Sequence, residues 1–282
     1  YNLNGTFFPE NQPAIGISNR AFCYGDGLFE TMHYHRQKIL FMQDHRERLV
    51  SGMKLLRLNF SEQDFIYKLE EEIHALIIKN GLENDVRIRL HVFRSEGGLF
   101  IPSGSLCGYV ITTEPLNTSG FEWNHNGMEA DIFDLVRKDH SPFSNIKSSS
   151  ALINVLAGIF ANEKNLDEAF ILNPDNHITD AIGSNVFIVK NKKIITPPLS
   201  DGCVDGVLRR NLRRRFFESN MDFSEASVSV EDMLNADEIF LTNVVTGIRW
   251  VKKIRDRHYG NEISKTIFLM LSGLLRSSGL QG

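Results

Sequence analysis

Ile178-Thr179-Asp180-Ala181-Ile182-Gly183-Ser184-Asn185-Val186-Phe187 places a carboxylate at the end of one strand-like run, then a turn of small residues, then a second apolar run. Gly and Ser allow a tight reversal, and the β-branched and aromatic residues on either side favour extended backbone. The stretch therefore reads as strand, turn, strand. Further strands are expected at Glu168–Leu172, Lys193–Thr196, 238–242 and 249–254, with one near 128–136. Helical patterns separate them at 149–165, 206–220 and 261–275. Runs of strands interrupted by helices point to an α+β fold rather than a doubly wound sheet.

The chain before residue 115 is also mixed. Residues 1–8 and 14–18 are short and strand-like, divided by a Pro-Glu-Asn-Gln-Pro turn. Residues 41–58 carry Leu49, Met53 and Leu56 at helical spacing, and Ser61 with Asp64 reads as the start of a helix that stops at Asn80-Gly81. Residues 85–94 alternate: Val86, Ile88, Leu90 and Val92 face one way, Arg87, Arg89, His91 and Phe93 the other. A second strand is expected at 106–113. Pro115, Asn117, Ser119, Gly120 and Asn124 then break the pattern, so domains are expected at 1–115 and 125–282, joined by a linker at 116–124.

With 282 residues there is enough chain for a sizeable core without staples, and a net charge of -4 gives no footing for nucleic acid or a membrane surface as a partner. Cys23, Cys107 and Cys203 are odd in number and widely spaced, which argues against a disulfide framework or a zinc site; no metal is expected. The opening Tyr1-Asn2-Leu3-Asn4-Gly5 shows no signal-peptide pattern, and the reading is a cytoplasmic protein.

Five stretches could carry chemistry, each with a plainer alternative. Lys147, in Asn145-Ile146-Lys147-Ser148-Ser149-Ser150, is either a solvated lysine before a capped helix or an amine held in a pocket for covalent work. Asp180 is either a turn residue or a carboxylate aimed at a ring nitrogen. Asp205-Gly206-Val207-Leu208 opens a helix, and its N–H groups favour an anion; the basic run 209–215 that follows reads as a solvated helix face. Thr242-Asn243-Val244-Val245-Thr246-Gly247 is an ordinary loop or a turn presenting N–H groups to a phosphate. Gly25-Asp26-Gly27-Leu28-Phe29-Glu30-Thr31, followed by His45-Arg46-Glu47-Arg48-Leu49, joins a turn of close approach to an arginine that is a phosphate fork or a surface residue.

The order of these stretches is more specific than any one of them. Along nearly the whole chain it resembles the fold-type IV pyridoxal-phosphate enzymes of the class IV aminotransferase family, which holds branched-chain aminotransferases, D-amino acid aminotransferases and aminodeoxychorismate lyases. The resemblance implies a small N-terminal α/β domain, a larger C-terminal domain with a barrel-like sheet, pyridoxal 5'-phosphate between them, and a homodimer. It implies that Lys147 is the Schiff-base lysine and catalytic base, that Arg48 and the N–H groups of Val207 and Leu208 hold the phosphate, and that Asp180 and Asn185 belong to the cofactor site together with the turn at Val245 and Thr246. Phe29, Arg89 and His91 would face amino-acid and 2-oxo-acid substrates.

Three departures stand out. Asp180 occupies a place where the family usually has Glu. Val244 replaces a residue that often brings a hydroxyl. Phe29 stands where D-amino acid aminotransferases carry tyrosine. The reading that follows is a branched-chain-type transaminase. The alternatives are a lyase releasing pyruvate and 4-aminobenzoate from aminodeoxychorismate, and a cofactor-binding protein with weak catalysis.

Overall fold

The computed structural model describes residues 1–59 and 62–277. The helix start expected at Ser61 lies outside the described residues. The chain forms two compact units. The first takes Tyr1–Ser119 and Ile146–Ser150; the second takes Gly120–Asn145 and the chain from Ala151 onward.

The first unit is a six-stranded antiparallel sheet. Its strands are β1 (Asn2–Leu3), β2 (Thr6–Phe7), β3 (Gly27–His35), β4 (Lys38–Ile39), β5 (Val86–Arg94) and β6 (Cys107–Pro115), in the order β2-β1-β6-β5-β3-β4. Its helices are α1 (Arg20–Tyr24), α2 (Met42–Leu55) and α3 (Glu62–Lys79). The alternation expected along β5 is present: Val86, Ile88, Leu90 and Val92 are buried, and they pack with Leu28 and Met32 of β3, Leu49 and Met53 of α2, and Ile73 and Leu76 of α3. Residues 14–18 form no strand. Pro13 and Gly16 punctuate the run, and Ile15 and Ile17 point to solvent.

In the second unit the strands are β7 (Met128–Phe133), β8 (Glu168–Leu172), β9 (Ile178–Ala181), β10 (Asn185–Lys190), β11 (Lys193–Thr196), β12 (Phe223–Glu225), β13 (Glu238–Asn243), β14 (Gly247–Ile254) and β15 (Arg257–His258). The helices are α4 (Pro142–Asn145), α5 (Leu152–Glu163), α6 (Val207–Glu218), α7 (Val230–Leu234) and α8 (Glu262–Ser277). Strands β7, β8, β9, β10, β13 and β14 close into a barrel, because β10 pairs with both β13 and β9 and β14 returns to β7. One apolar cluster draws residues from all six, including Met128, Phe170, Ile178, Val186, Leu241 and Val251, so side chains fill the barrel.

Asn185 and Phe187 point to the opposite face of β10 from Val186, as the two-residue period requires. There Phe187 stacks on Phe240 at 4.9 Å and meets Phe216 of α6 edge-on at 6.2 Å. This packing lays α6 along the barrel wall and brings its first turn beside β10. Among the described residues, no helix is long and apolar enough to cross a membrane.

Candidate active site

Lys147 belongs to the first unit. The expected helix begins only at Leu152, because residues 147–149 lie extended against the open edge of β3. The Phe29 N–H donates to the Lys147 carbonyl and the Ser149 N–H to the Gly27 carbonyl, both at 2.9 Å. Gly27 permits this approach: a Cβ there would lie 2.6 Å from the Val92 carbonyl oxygen and 3.1 Å from Ser149 Oγ.

Phe29, Arg89, His91 and Lys147 come together. Nζ of Lys147 and the guanidinium carbon of Arg89 each lie 4.5 Å from the centre of the Phe29 ring, and His91 stacks on that ring at 5.7 Å. Arg89 Nε donates to His91 Nε2 at 2.8 Å, which puts the imidazole proton on Nδ1. Burial and the Arg89 charge push His91 down to about 4, so the ring is neutral near pH 7. The cluster is cationic and rests on an aromatic floor, suited to an anionic substrate group beside an apolar side chain.

Arg48 lies elsewhere. It is buried on α2, and its Nε and one Nη donate to Glu30 at 2.8 and 2.5 Å. His45 Nδ1 sits 2.7 Å from the same carboxylate. Glu30 follows Phe29 in β3, so it projects to the helix-packed face, opposite the Phe29 ring. Burial opposes ionisation of Glu30, but the Arg48 charge and the His45 hydrogen bond outweigh it and hold the carboxyl down to about 2. His45 is pushed below its usual range by burial, against the pull of Glu30. Glu30 and His45 lie within the quoted motifs, yet the sequence assigned them no role.

A separate polar cluster closes the far end of β3. His33 Nε2 and His35 Nδ1 lie 2.6 and 2.9 Å from Asp85 Oδ1. These are hydrogen-bond lengths, and they tie β3 to the start of β5.

The second unit gathers Asp180, Asn185 and the start of α6. Asp180 and Asn185 are direct partners across β9 and β10, and Asn185 Nδ2 donates to Asp180 Oδ1 at 3.1 Å and to the Val204 carbonyl at 2.7 Å. The Val204 N–H lies 3.2 Å from both Asp180 oxygens, and Lys138 Nζ donates to Oδ2 at 2.6 Å. Asn185 crowds Gly206 so closely that a Cβ there would fall 1.7 Å from its Oδ1.

Gly206, Val207, Leu208 and Arg209 are all buried. Gly206 caps α6 without a side-chain hydrogen bond, and the N–H groups of Val207, Leu208 and Arg209 meet no acceptor among the described residues. A buried helix start with open N–H groups suits an anion. Thr242, the β13 partner of Asn185, adds a buried hydroxyl with no hydrogen-bond partner among the described residues. The N–H groups of Val245 and Thr246 turn instead onto Asn243 Oδ1, at 3.0 and 2.8 Å. The solvated face expected at 209–215 is corrected at its first residue: Arg209 is fully buried and donates to the Pro197 carbonyl at 2.8 Å and to Glu225.

The first unit by itself offers an amine fixed by backbone, and the second by itself offers a buried carboxylate and an open helix start, a donor set that fits the ring nitrogen and the phosphate of a phosphorylated pyridine. The comparisons agree. The family signature described as "Amino-transferase class IV" matches residues 27–254. A Methanocaldococcus jannaschii protein assigned as a branched-chain-amino-acid aminotransferase is 29% identical, covering 92% of this chain and 89% of its own length. The aminodeoxychorismate lyase of Vibrio harveyi is 26% identical, covering 86% and 88%. The branched-chain aminotransferase of Thermoproteus uzoniensis, solved with norvaline, superposes with a TM-score of 0.85 over 95% of this chain and 91% of that one, at 23% identity, and so shares the fold. The chain belongs to the class IV aminotransferases, a family of pyridoxal-phosphate enzymes.

Proposed function

We propose that this chain is a pyridoxal-phosphate-dependent amino-acid transaminase of the branched-chain type. The observation that carries the reading is the amine of Lys147, fixed by two backbone hydrogen bonds to β3 above Phe29 and next to Arg89. When bound, the cofactor supplies an aldehyde for the substrate amine and a ring that draws electrons from the adjacent carbon.

The chain's residues do the rest. With the cofactor bound, Lys147 would hold its aldehyde carbon and would carry the proton at the substrate α-carbon. The N–H groups of Val207 and Leu208 hold the phosphate at the buried start of α6, and Thr242 offers a hydroxyl beside them. The family pattern also assigns Arg48 and the turn at Val245 and Thr246 to a phosphate; in this structure Arg48 pairs with Glu30, and the N–H groups of the turn pair with Asn243. Asp180, oriented by Asn185 and the Val204 N–H, presents a carboxylate to the ring nitrogen. Arg89 binds the substrate carboxylate, His91 fixes the Arg89 fork, and the Phe29 ring lies against an apolar side chain.

The exposed run Leu99-Phe100-Ile101 supports a homodimer. The three widely spaced cysteines support a cytoplasmic location. A panel of amino acids with 2-oxoglutarate, on protein supplied with pyridoxal phosphate, should yield glutamate fastest with Val, Leu or Ile. The similarity to the Vibrio lyase supports a second reading, because the same residues serve both reactions. Release of pyruvate and 4-aminobenzoate from aminodeoxychorismate, without glutamate formation, would decide for the lyase. Bound cofactor with neither activity would leave a weak catalyst.

A further inference from the structure

The Asp180 carboxylate already has a cation on it. Lys138 Nζ lies 2.6 Å from Oδ2, and the two side chains are 13% and 4% exposed. Lys138 is itself held in place, because its N–H donates to the Leu172 carbonyl at the end of β8 at 2.8 Å. The other two donors, Asn185 Nδ2 and the Val204 N–H, are neutral. Both carboxylate oxygens thus accept hydrogen bonds from the chain, and one of them carries an ammonium. A buried carboxylate stripped of its counter-charge is costly, so the pair is a structural need of the cofactor-free chain. The same ammonium repels any second cation brought to that carboxylate.

We infer that Lys138 is the resident counter-ion of Asp180, a positioning residue that holds the carboxylate in place and moderates the negative charge it offers to a cationic ring. The inference rests on the assignment of Asp180 to the cofactor's ring nitrogen. It separates Lys138 from an ordinary structural lysine, whose loss would weaken the fold and cofactor binding together. Removing this ammonium should lower the stability of the cofactor-free chain and strengthen its grip on a ring that carries a proton.

The test uses the full chain with Lys138→Met, Lys138→Gln and Lys138→Arg. Each protein is titrated by fluorescence with pyridoxal 5'-phosphate and with its 1-deaza analogue, in which CH replaces the ring nitrogen, and is melted with and without ligand. The two neutral variants should melt lower without ligand. They should bind pyridoxal phosphate about tenfold more tightly than the parent chain, with no such gain for the deaza analogue. Lys138→Arg should restore the parent values. Lys138→Gln keeps a hydrogen-bond donor without the charge, so it decides the matter if the Met variant fails to fold. An unchanged preference between the two ligands, or weaker binding of both, would overturn the role of Lys138 while leaving the cofactor site standing. A parent chain that binds neither ligand would instead sink the cofactor assignment, and this inference with it.

Discussion

Lys147 and Phe29 meet twice: the Phe29 N–H donates to the Lys147 carbonyl at 2.9 Å, and the Lys147 amine lies 4.5 Å from the centre of the Phe29 ring. Backbone and side chain thus fix the same amine independently. Borohydride treatment of the cofactor-loaded protein should leave a reduced adduct on Lys147, identified by peptide mass spectrometry. Lys147→Ala should show no adduct and lose on the order of a thousandfold or more in turnover. An adduct on another lysine would remove the basis of the proposed mechanism.

Arg89 lies over the same Phe29 ring, with its Nε on a neutral His91. Arg89→Gln should raise KM for amino acids by roughly 10- to 100-fold, with a smaller effect on kcat, because a charge-assisted contact to a carboxylate is worth about 1.5–3 kcal/mol. Steady-state kinetics with two amino acids of different side chains tests this; equal losses on both place Arg89 at the shared carboxylate.

Acid should destabilise the first unit in two windows. His91 is held at about 4 by burial and the nearby Arg89, so the unfolded chain takes up a proton near 6.5 that the folded chain refuses; stability falls as pH drops from about 6.5 to about 4. Glu30 resists burial through Arg48 and His45 and is held at about 2, so its contribution is complete above about 4.5 and is lost as pH falls towards 2. That second loss amounts to roughly 3 kcal/mol. Denaturant melts between pH 2 and 8 should show both, with the upper window reduced in His91→Gln. Glu30→Gln should cost roughly 3–5 kcal/mol at neutral pH by removing the buried counter-charge that Glu30 sets against Arg48.

Gly206→Ala should be severe for one residue. The new methyl would meet Asn185 Oδ1 at 1.7 Å, and Asn185 cannot easily withdraw while its Nδ2 bonds Asp180 and the Val204 carbonyl. A loss of roughly 1–3 kcal/mol in stability is expected, together with weaker phosphate-ester binding. Thermal melts and a titration with pyridoxal phosphate measure each. Equal affinity in the variant would detach the start of α6 from the phosphate.

Local pattern reveals those parts of the molecule that local forces build. Strand β5 was legible because its four inward residues alternate without a break, and β8 and β11 because they are short apolar runs between turn signals. Strand β3 was not, since Gly27 opens it and the charged Glu30 occupies an inward position; only Arg48 and His45, 18 and 15 residues away, make that tolerable. The late start of α5 depends on hydrogen bonds from residues 147–149 to β3, far back in the chain. Arg209 escaped notice for the same reason, as its acceptors at Pro197 and Glu225 come from other elements. Lys138 reaches Asp180 across 42 residues, and no spacing rule connects them. The order of the motifs supplied the family, and with it an expectation for the site that periodicity alone does not contain.

The chain leaves the first unit after Ser119, lays down Gly120–Asn145 in the second, and comes back for only five residues. During synthesis, then, the antiparallel sheet can assemble early with one flank of β3 bare. The lysine-bearing segment docks there only after it has emerged, once a stretch of the barrel has already been made. The Lys147 amine is thereby among the last parts of its unit to be fixed, so an early-folded N-terminal piece carries the sheet without it.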